Sequence, residues 1–142
     1  MKQKFILLMT LIAAVITFSA CSSDDDDKAS SNSPNVGTWY GEDGGYATEF
    51  LFTSGGAVTA TETKLSVPTS RVRDTGTYRL NGNKLTIRWT KFEIWNNFTQ
   101  KWVTDDEEVE TVVLTIGING NKLTFYSMEG EEDGDPIVYT RR

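Results

Sequence analysis

The sequence predicts an all-β domain of about eight antiparallel strands, arranged as an up-and-down meander that closes fully or partly into a barrel. The segment NGNKLT occurs twice, at 81–86 and 119–124, and each copy lies between runs of alternating apolar residues. An Asn-Gly pair in this setting is a strong hairpin signal, because tight turns between strands need positive φ angles. No stretch of the chain repeats its apolar residues with the period of a helix. The length of 142 residues suits one domain.

Each Asn-Gly pair also predicts a strand register. With residues 81–82 at the centre of a type I′ turn, we expect Tyr78 opposite Leu85, and the turn at 119–120 predicts the same arrangement for the second hairpin. Directly opposed side chains share one face of a sheet, so each hairpin has one apolar face. Two equivalent hairpins of one meander explain the repetition. The two apolar faces contain Tyr78, Leu80, Leu85, Ile87 and Trp89 in the first hairpin, and Val112, Leu114, Ile116, Ile118, Leu123 and Phe125 in the second.

The remaining segments fit the same meander. Pro68 cannot donate a ladder hydrogen bond, so residues 65–71 are expected to form a loop. Residues 129–136 are rich in acidic residues and glycine and are also expected to form a loop. The other predicted strands are residues 36–43, 46–53, 57–64 and 137–142.

A longer hairpin is predicted over residues 91–104. If Asn97–Gln100 forms its loop, Trp95 lies directly opposite Trp102. The phase of the apolar residues changes just before this hairpin, which predicts a β-bulge near Thr90.

Residues 1–20 have the pattern of a secretory signal peptide. Lys2 and Lys4 form a basic start, Phe5–Phe18 is apolar, and small residues precede Cys21. The apolar stretch is short, which favours a signal peptide over a membrane-spanning anchor. The sequence therefore predicts an exported protein.

The Phe-Ser-Ala-Cys junction resembles the lipobox of bacterial lipoproteins, which implies that Cys21 becomes the lipidated first residue. Cys21 is the sole cysteine, so no intramolecular disulfide can form, and ordinary cleavage leaving a free thiol is the alternative. Residues 21–34 include four consecutive aspartates and are predicted to be a disordered tether. This segment resembles the acidic export tag of Bacteroidetes surface lipoproteins, which implies an outer-membrane, cell-surface location. The folded domain is predicted over residues 35–142.

The composition argues against several function classes. A formal net charge of −6 without a basic stripe argues against nucleic acid as a partner. The chain has no histidine, so catalytic triads with a histidine base and histidine-based zinc sites are excluded. We predict no enzyme activity, no cofactor and no metal site. Asp105–Glu108 and Glu129–Asp135 offer oxygens for Ca²⁺, but their spacing does not match an EF-hand, and solvated acidic loops are the favoured interpretation.

The order of motifs over residues 35–142 resembles the lipocalin-like domains of bacterial lipoproteins. The matching features are Gly37-Thr38-Trp39 on the first strand, the hairpin around Gly55-Gly56, Gly76-Thr77-Tyr78 before NGNKLT, and Tyr139-Thr140-Arg141 at the end. The resemblance implies an up-and-down barrel whose closed end has Trp39 packed near Arg141. It also implies that the barrel interior binds a small apolar or amphipathic molecule.

Four aromatic residues are candidate ligand contacts. Trp89 is expected on the inner face of its strand, where it belongs to the core or to a ligand cavity. Trp95, Phe98 and Trp102 are expected to crowd one hairpin tip, where they could stack on a glycan, contact a partner protein, line the barrel mouth, or simply stabilise the hairpin. Two hypotheses follow: an apolar ligand inside the barrel, or an accessory module that binds a glycan or protein through the aromatic tip. The sequence does not indicate the oligomeric state.

Overall fold

The computed structural model describes residues 33–106, 108–131 and 134–142, and within these residues the chain forms strands, turns and loops without a helix. Buried and exposed side chains alternate along the strands, so one face of each strand is covered and the other meets solvent. The strands are β1 Gly37–Asp43, β2 Tyr46–Phe52, β3 Ala57–Lys64, β4 Arg71–Asn81, β5 Lys84–Asn96, β6 Lys101–Asp105, β7 Glu110–Asn119, β8 Lys122–Met128 and β9 Ile137–Arg141.

Eight of these strands form a closed antiparallel barrel. Neighbours in the wall follow chain order from β1 to β5 and then β7, β8 and β9, and β9 pairs with β1 to complete the ring. The remaining strand, β6, pairs with the far end of β5 and lies outside the closed wall. The predicted all-β, up-and-down fold is therefore confirmed, and the barrel is closed rather than partly open. This architecture is consistent with a lipocalin-like barrel.

The tight turns differ from the prediction. Gly82 and Asn83 are the central residues of the first turn, so Leu85 lies opposite Leu80 rather than opposite Tyr78. Gly82 has a φ of 59° and is the one central residue with a positive φ. This combination is that of a type II′ turn, which places glycine first, and the predicted type I′ register is wrong. The second hairpin shows the same shift, with Gly120 at a φ of 58°.

The apolar faces survive this shift because every partner moves by two residues, which is the side-chain period of a strand. The barrel interior is filled by one cluster of buried side chains, in which Phe50 contacts three other aromatic rings. The cluster consists of Trp39, Phe50, Phe52, Val58, Ala60, Tyr78, Leu85, Ile87, Trp89, Val112, Ile116, Leu123, Phe125 and Tyr139, with Leu80, Leu114, Ile118, Met128 and Ile137 packed against it.

A β-bulge divides β5 into two parts that pair with different strands. Gly76 pairs with Trp89 and Thr75 pairs with Lys91, so Thr90 is the extra residue, as predicted. Before the bulge β5 pairs with β7 in the barrel wall, and after it β5 pairs with β6. The bulge therefore marks the point at which a long hairpin leaves the barrel.

One end of the barrel is capped by an arginine. The Arg141 guanidinium lies 4.2 Å from the centre of the Trp39 ring, so the expected contact between these residues is present. Arg141 also donates hydrogen bonds of 2.6 Å to the Val36 carbonyl and 2.7 Å to the Pro34 carbonyl. A Cβ on Gly37 would lie 2.7 Å from the arginine Nη1, which explains the glycine in this motif. We call this the capped end.

The opposite end is the mouth, formed by the β1–β2, β3–β4 and β8–β9 connections, with the β5–β6 hairpin projecting beyond it. Cys21 and the predicted signal peptide lie outside the described residues, as does most of the predicted tether. The described chain enters at the capped end, where Val36 N–H donates to the Ser33 carbonyl at 3.0 Å, so ordered contacts begin two residues before the predicted boundary. Within the described part of the chain, no helix could cross a membrane.

Candidate functional site

The barrel interior contains a cavity of about 250 Å³ that opens at the mouth. Its walls are predominantly apolar, and the loop between β8 and β9 contributes Glu131 and Asp135 at the opening. The volume is slightly below the roughly 300 Å³ at which typical ligand pockets begin. The space therefore suits a small molecule or the apolar part of a larger amphiphile. The cavity walls include Phe50, Ile87, Trp89, Val112, Leu114 and Phe125.

Trp89 lies in the cavity wall, at the residue that sequence analysis named as an interior candidate. Its side chain is 7% exposed, and its indole Nε1 is buried without a hydrogen-bond acceptor. An indole N–H can only donate, and an unsatisfied buried donor costs about 1–3 kcal/mol. The residue that lines the cavity thus contains an unsatisfied buried donor.

Glu62 is a second buried polar group on the inner face of the barrel. It pairs with Thr48 and Val72 in the wall and is 6% exposed, and its Oε1 has no hydrogen-bond partner. Burial raises the pKa of Glu62 from its ordinary value of 4.5 to about 7. Because burial without compensation disfavours the charged form, this carboxyl lowers the stability of the folded barrel when it is ionised.

Three aromatic rings connect Glu62 to the cavity. Phe50 contacts Phe125 at 5.3 Å between ring centres and Tyr139 at 5.1 Å, and Phe125 contacts Tyr139 at 4.9 Å. Burial raises the pKa of the Tyr139 phenol, and the nearby carboxylates of Asp43 and Glu62 raise it further. Glu62 is therefore close enough to interact electrostatically with an aromatic cluster that also forms the cavity wall.

The aromatic hairpin tip does not line the barrel mouth. Trp95 lies opposite Trp102, as predicted, with the two rings edge to face at 5.3 Å. The Arg71 guanidinium lies 5.0 Å from one ring centre and 5.2 Å from the other, and that of Arg73 lies 4.3 Å from Trp102. In β4 these arginines alternate with the inward-facing Tyr78 series, so the whole group is on the outer face of the sheet.

A partly buried ion pair lies beside this outer cluster. Arg73 donates to Glu93 Oε2 at 2.8 and 2.9 Å, and Lys91 contacts Oε1 at 2.8 Å. The hydrogen bond from Lys91 lowers the pKa of Glu93, and Arg73 lowers it further. The cationic groups and the rings therefore have partners within the protein, which favours a structural role for this cluster.

Phe98 differs from Trp95 and Trp102 because its side chain is fully exposed to solvent. It is fully exposed in the loop between β5 and β6, at a relative exposure of 100%. The loop is held by the Asn96 side chain, whose Oδ1 accepts hydrogen bonds of 3.0 Å from the backbone N–H groups of Phe98 and Thr99. A single exposed phenylalanine on a defined loop is available to an external partner.

Comparison with known proteins finds no matching family model, no matching curated protein and no matching solved structure.

The described residues contain no group of three or more acidic, histidine or cysteine side chains that could hold a metal ion. The candidate Ca²⁺ segments at 105–108 and 129–135 each include residues outside the described ranges. The cavity, with Trp89 in its wall, is therefore the candidate site, and Glu62 lies elsewhere on the inner face of the barrel.

Sequence analysis found Trp89 but missed Glu62. In β3 every second residue faces inward, which places Glu62 on the same face as Val58 and Ala60. This alternation could have predicted that Glu62 is buried. A glutamate at an inward position contradicts the simple apolar pattern, so it could be found only by asking which residue breaks the alternation.

Proposed function

We propose that this chain is a lipid-anchored lipoprotein of the outer membrane, exposed at the cell surface, whose barrel binds a small apolar or amphipathic molecule without catalysing a reaction. The observation that carries the proposal is the apolar cavity of about 250 Å³ inside a closed barrel, with an unpartnered indole N–H in its wall. Core residues all lie between Trp39 and Tyr139, so the chain from Ser33 onward contains the whole described core and is suitable for binding studies.

The test is to close the cavity by mutation. Leu114 lines the cavity, and Leu114→Trp should fill it and abolish binding of a neutral fluorescent naphthylamine dye. Overpacking costs about 1–3 kcal/mol, so thermal unfolding must be followed in parallel. Val138 is 47% exposed on the outer wall, and Val138→Trp is the matched control that should leave dye binding unchanged.

Native mass spectrometry of the detergent-free domain provides a second measurement, because a co-purified small molecule would appear as an added mass that Leu114→Trp removes. Dye binding that survives in Leu114→Trp, together with an interior that never retains a small molecule, would refute the proposal.

A second candidate function is an accessory module that binds a glycan or a protein through the hairpin. The observation that favours it is the fully exposed Phe98 beside the half-buried Trp95 and Trp102. Replacing both tryptophans by alanine should abolish binding on a glycan array or in a pull-down while changing stability little. Large destabilisation would instead assign the pair to the fold, as their contacts with Arg71 and Arg73 favour.

A further inference from the structure

The hairpin that projects from the barrel ends in a strand with an unpaired edge. Beyond the bulge, β5 pairs with β4 on one side and with β6 on the other. Within the described residues, neither a strand nor a backbone hydrogen bond from a loop covers the far edge of β6. Such an edge presents a row of N–H and C=O groups with which another strand can pair. The sheet can therefore be extended at β6.

Exposed apolar side chains concentrate in and beside the same hairpin. Ile94 lies directly opposite Val103, and their exposed fractions are 43% and 49%. The loop between the two strands contains the fully exposed Phe98, and Val109, which is 52% exposed, follows β6 in the chain. Exposed apolar side chains that lie together are typical of interaction surfaces. The free edge and this apolar surface therefore belong to one part of the molecule.

The residues of β6 indicate which strand fits its edge. Lys101, Val103 and Asp105 alternate along the strand and share one face, and all three are exposed. Neither charged residue forms an ion pair with another described residue. An antiparallel copy of β6 centred on Val103 would place Lys101 opposite Asp105 of the second copy, and Asp105 opposite its Lys101. The strand is therefore complementary to itself in charge.

This register is distinguished from its neighbours. A two-fold axis normal to the sheet keeps the two faces distinct, so the registers that it allows are centred on single residues. Centring on Trp102 would place Lys101 opposite Val103, and centring on Thr104 would place Asp105 opposite Val103. Both alternatives shorten the overlap and leave a charge opposite an apolar side chain. The register centred on Val103 pairs all 5 residues of the strand and both charges.

We infer that the partner of this edge is a second copy of the chain, which pairs its β6 antiparallel to the first and extends one sheet across the dimer. Opposite charges that face each other across two strands stabilise the pairing. Ile94 and Val103 of both copies form a continuous apolar strip, and the loop with Phe98 extends past Asp105 of the second copy toward its Val109. The inference does not depend on ligand binding inside the barrel.

Analytical ultracentrifugation of the chain from Ser33 onward tests the dimer. The interface is small, so we expect a dissociation constant of about 10–100 μM. Lys101→Glu places like charges opposite each other at both ends of the paired strands and should weaken the dimer at least about tenfold. The double variant Lys101→Glu/Asp105→Lys restores both opposite-charge pairs with their signs exchanged. Its dissociation constant should lie within about threefold of the wild-type value.

The matched control is Lys122→Glu, because Lys122 is exposed on β8 and its replacement changes the net charge as much as Lys101→Glu does. This control should leave the dissociation constant unchanged, and circular dichroism of each variant checks its fold. A monomer mass that stays constant up to about 500 μM would overturn the inference. Equal weakening by Lys101→Glu and Lys122→Glu, or a double variant that does not recover, would overturn it as well.

A disulfide provides a measurement that does not depend on the charge variants. Cys21 is the sole cysteine of the chain, so the chain from Ser33 onward contains none. Val103→Cys would face its own counterpart across the two-fold axis, at a separation that a disulfide can bridge. Under mild oxidation it should cross-link at least about fivefold faster than Val138→Cys on the outer wall. Equal cross-linking rates would overturn the pairing.

Discussion

The buried carboxyl of Glu62 makes the stability of the barrel depend on pH in a predictable direction. Its pKa is about 7 in the folded protein, compared with an ordinary value of 4.5 that applies to the unfolded chain. Between these values the folded state holds a proton that the unfolded state releases, so stability falls as pH rises. Below about pH 4.5 the loss of stability caused by ionising the buried carboxyl vanishes, and above about pH 7 this loss is complete.

The magnitude follows from the same two values. The difference between 4.5 and about 7 corresponds to about 3 kcal/mol, and partial hydration at the mouth reduces the expected effect to about 2 kcal/mol. Glu62→Gln keeps the shape of the side chain and removes its titration. We compare the free energies of unfolding of Glu62→Gln and the wild type. Between pH 4.5 and pH 8 we expect their difference to change by about 2 kcal/mol in favour of the variant.

The assay is urea unfolding followed by circular dichroism from pH 4 to pH 9 for both proteins. Other carboxylates, such as Glu93 with its lowered pKa, change the stability of the two proteins equally with pH. Their effects therefore cancel when the two free energies of unfolding are subtracted. A flat difference curve for Glu62→Gln, or one that falls with pH, would refute the assignment of Glu62 as a buried and uncompensated carboxyl.

Three further predictions concern the ends of the chain and the barrel wall. Arg141→Met removes two hydrogen bonds to backbone carbonyls and the contact with Trp39, and should lower the free energy of unfolding by about 1–3 kcal/mol; an unchanged urea midpoint would contradict this. Gly76→Ala would place a Cβ against the Arg88 carbonyl oxygen and should cost more than about 3 kcal/mol or prevent folding. Gly55→Ala would make only an ordinary contact with Thr53 Oγ1 at 3.9 Å and should not, as thermal melts will show. Cys21→Ser should abolish incorporation of labelled palmitate and release the protein from membranes; retained label would place the lipid elsewhere.

The fold could be predicted because strand alternation and turn chemistry are local properties. Residues 81–82 and 119–120 indicated both hairpins, and a change of apolar phase indicated the bulge at Thr90. The exact turn could not be predicted, because Asn-Gly-Asn offers glycine to either a type I′ or a type II′ turn and both keep the same apolar face.

The site was less predictable because it depends on contacts between distant strands. Trp95 and Trp102 were correctly paired, but their position on the outer face required the register of β4 with β5 beyond the bulge. Glu62 is buried in the barrel interior and interacts electrostatically with Tyr139, which is far away in the chain. Such properties arise when the barrel closes and are not encoded in any short segment.

The position of Ser33 at the capped end places the predicted tether on the side of the barrel away from the mouth. A chain attached through Cys21 has twelve residues before Ser33, a span of at most about 40 Å when fully extended. A lipid on Cys21 would join the barrel on the side of Arg141, which would leave the opening beside Glu131 free to face the medium around the cell. An opening that faced the medium would let solutes reach the cavity from the exterior water rather than directly from the bilayer.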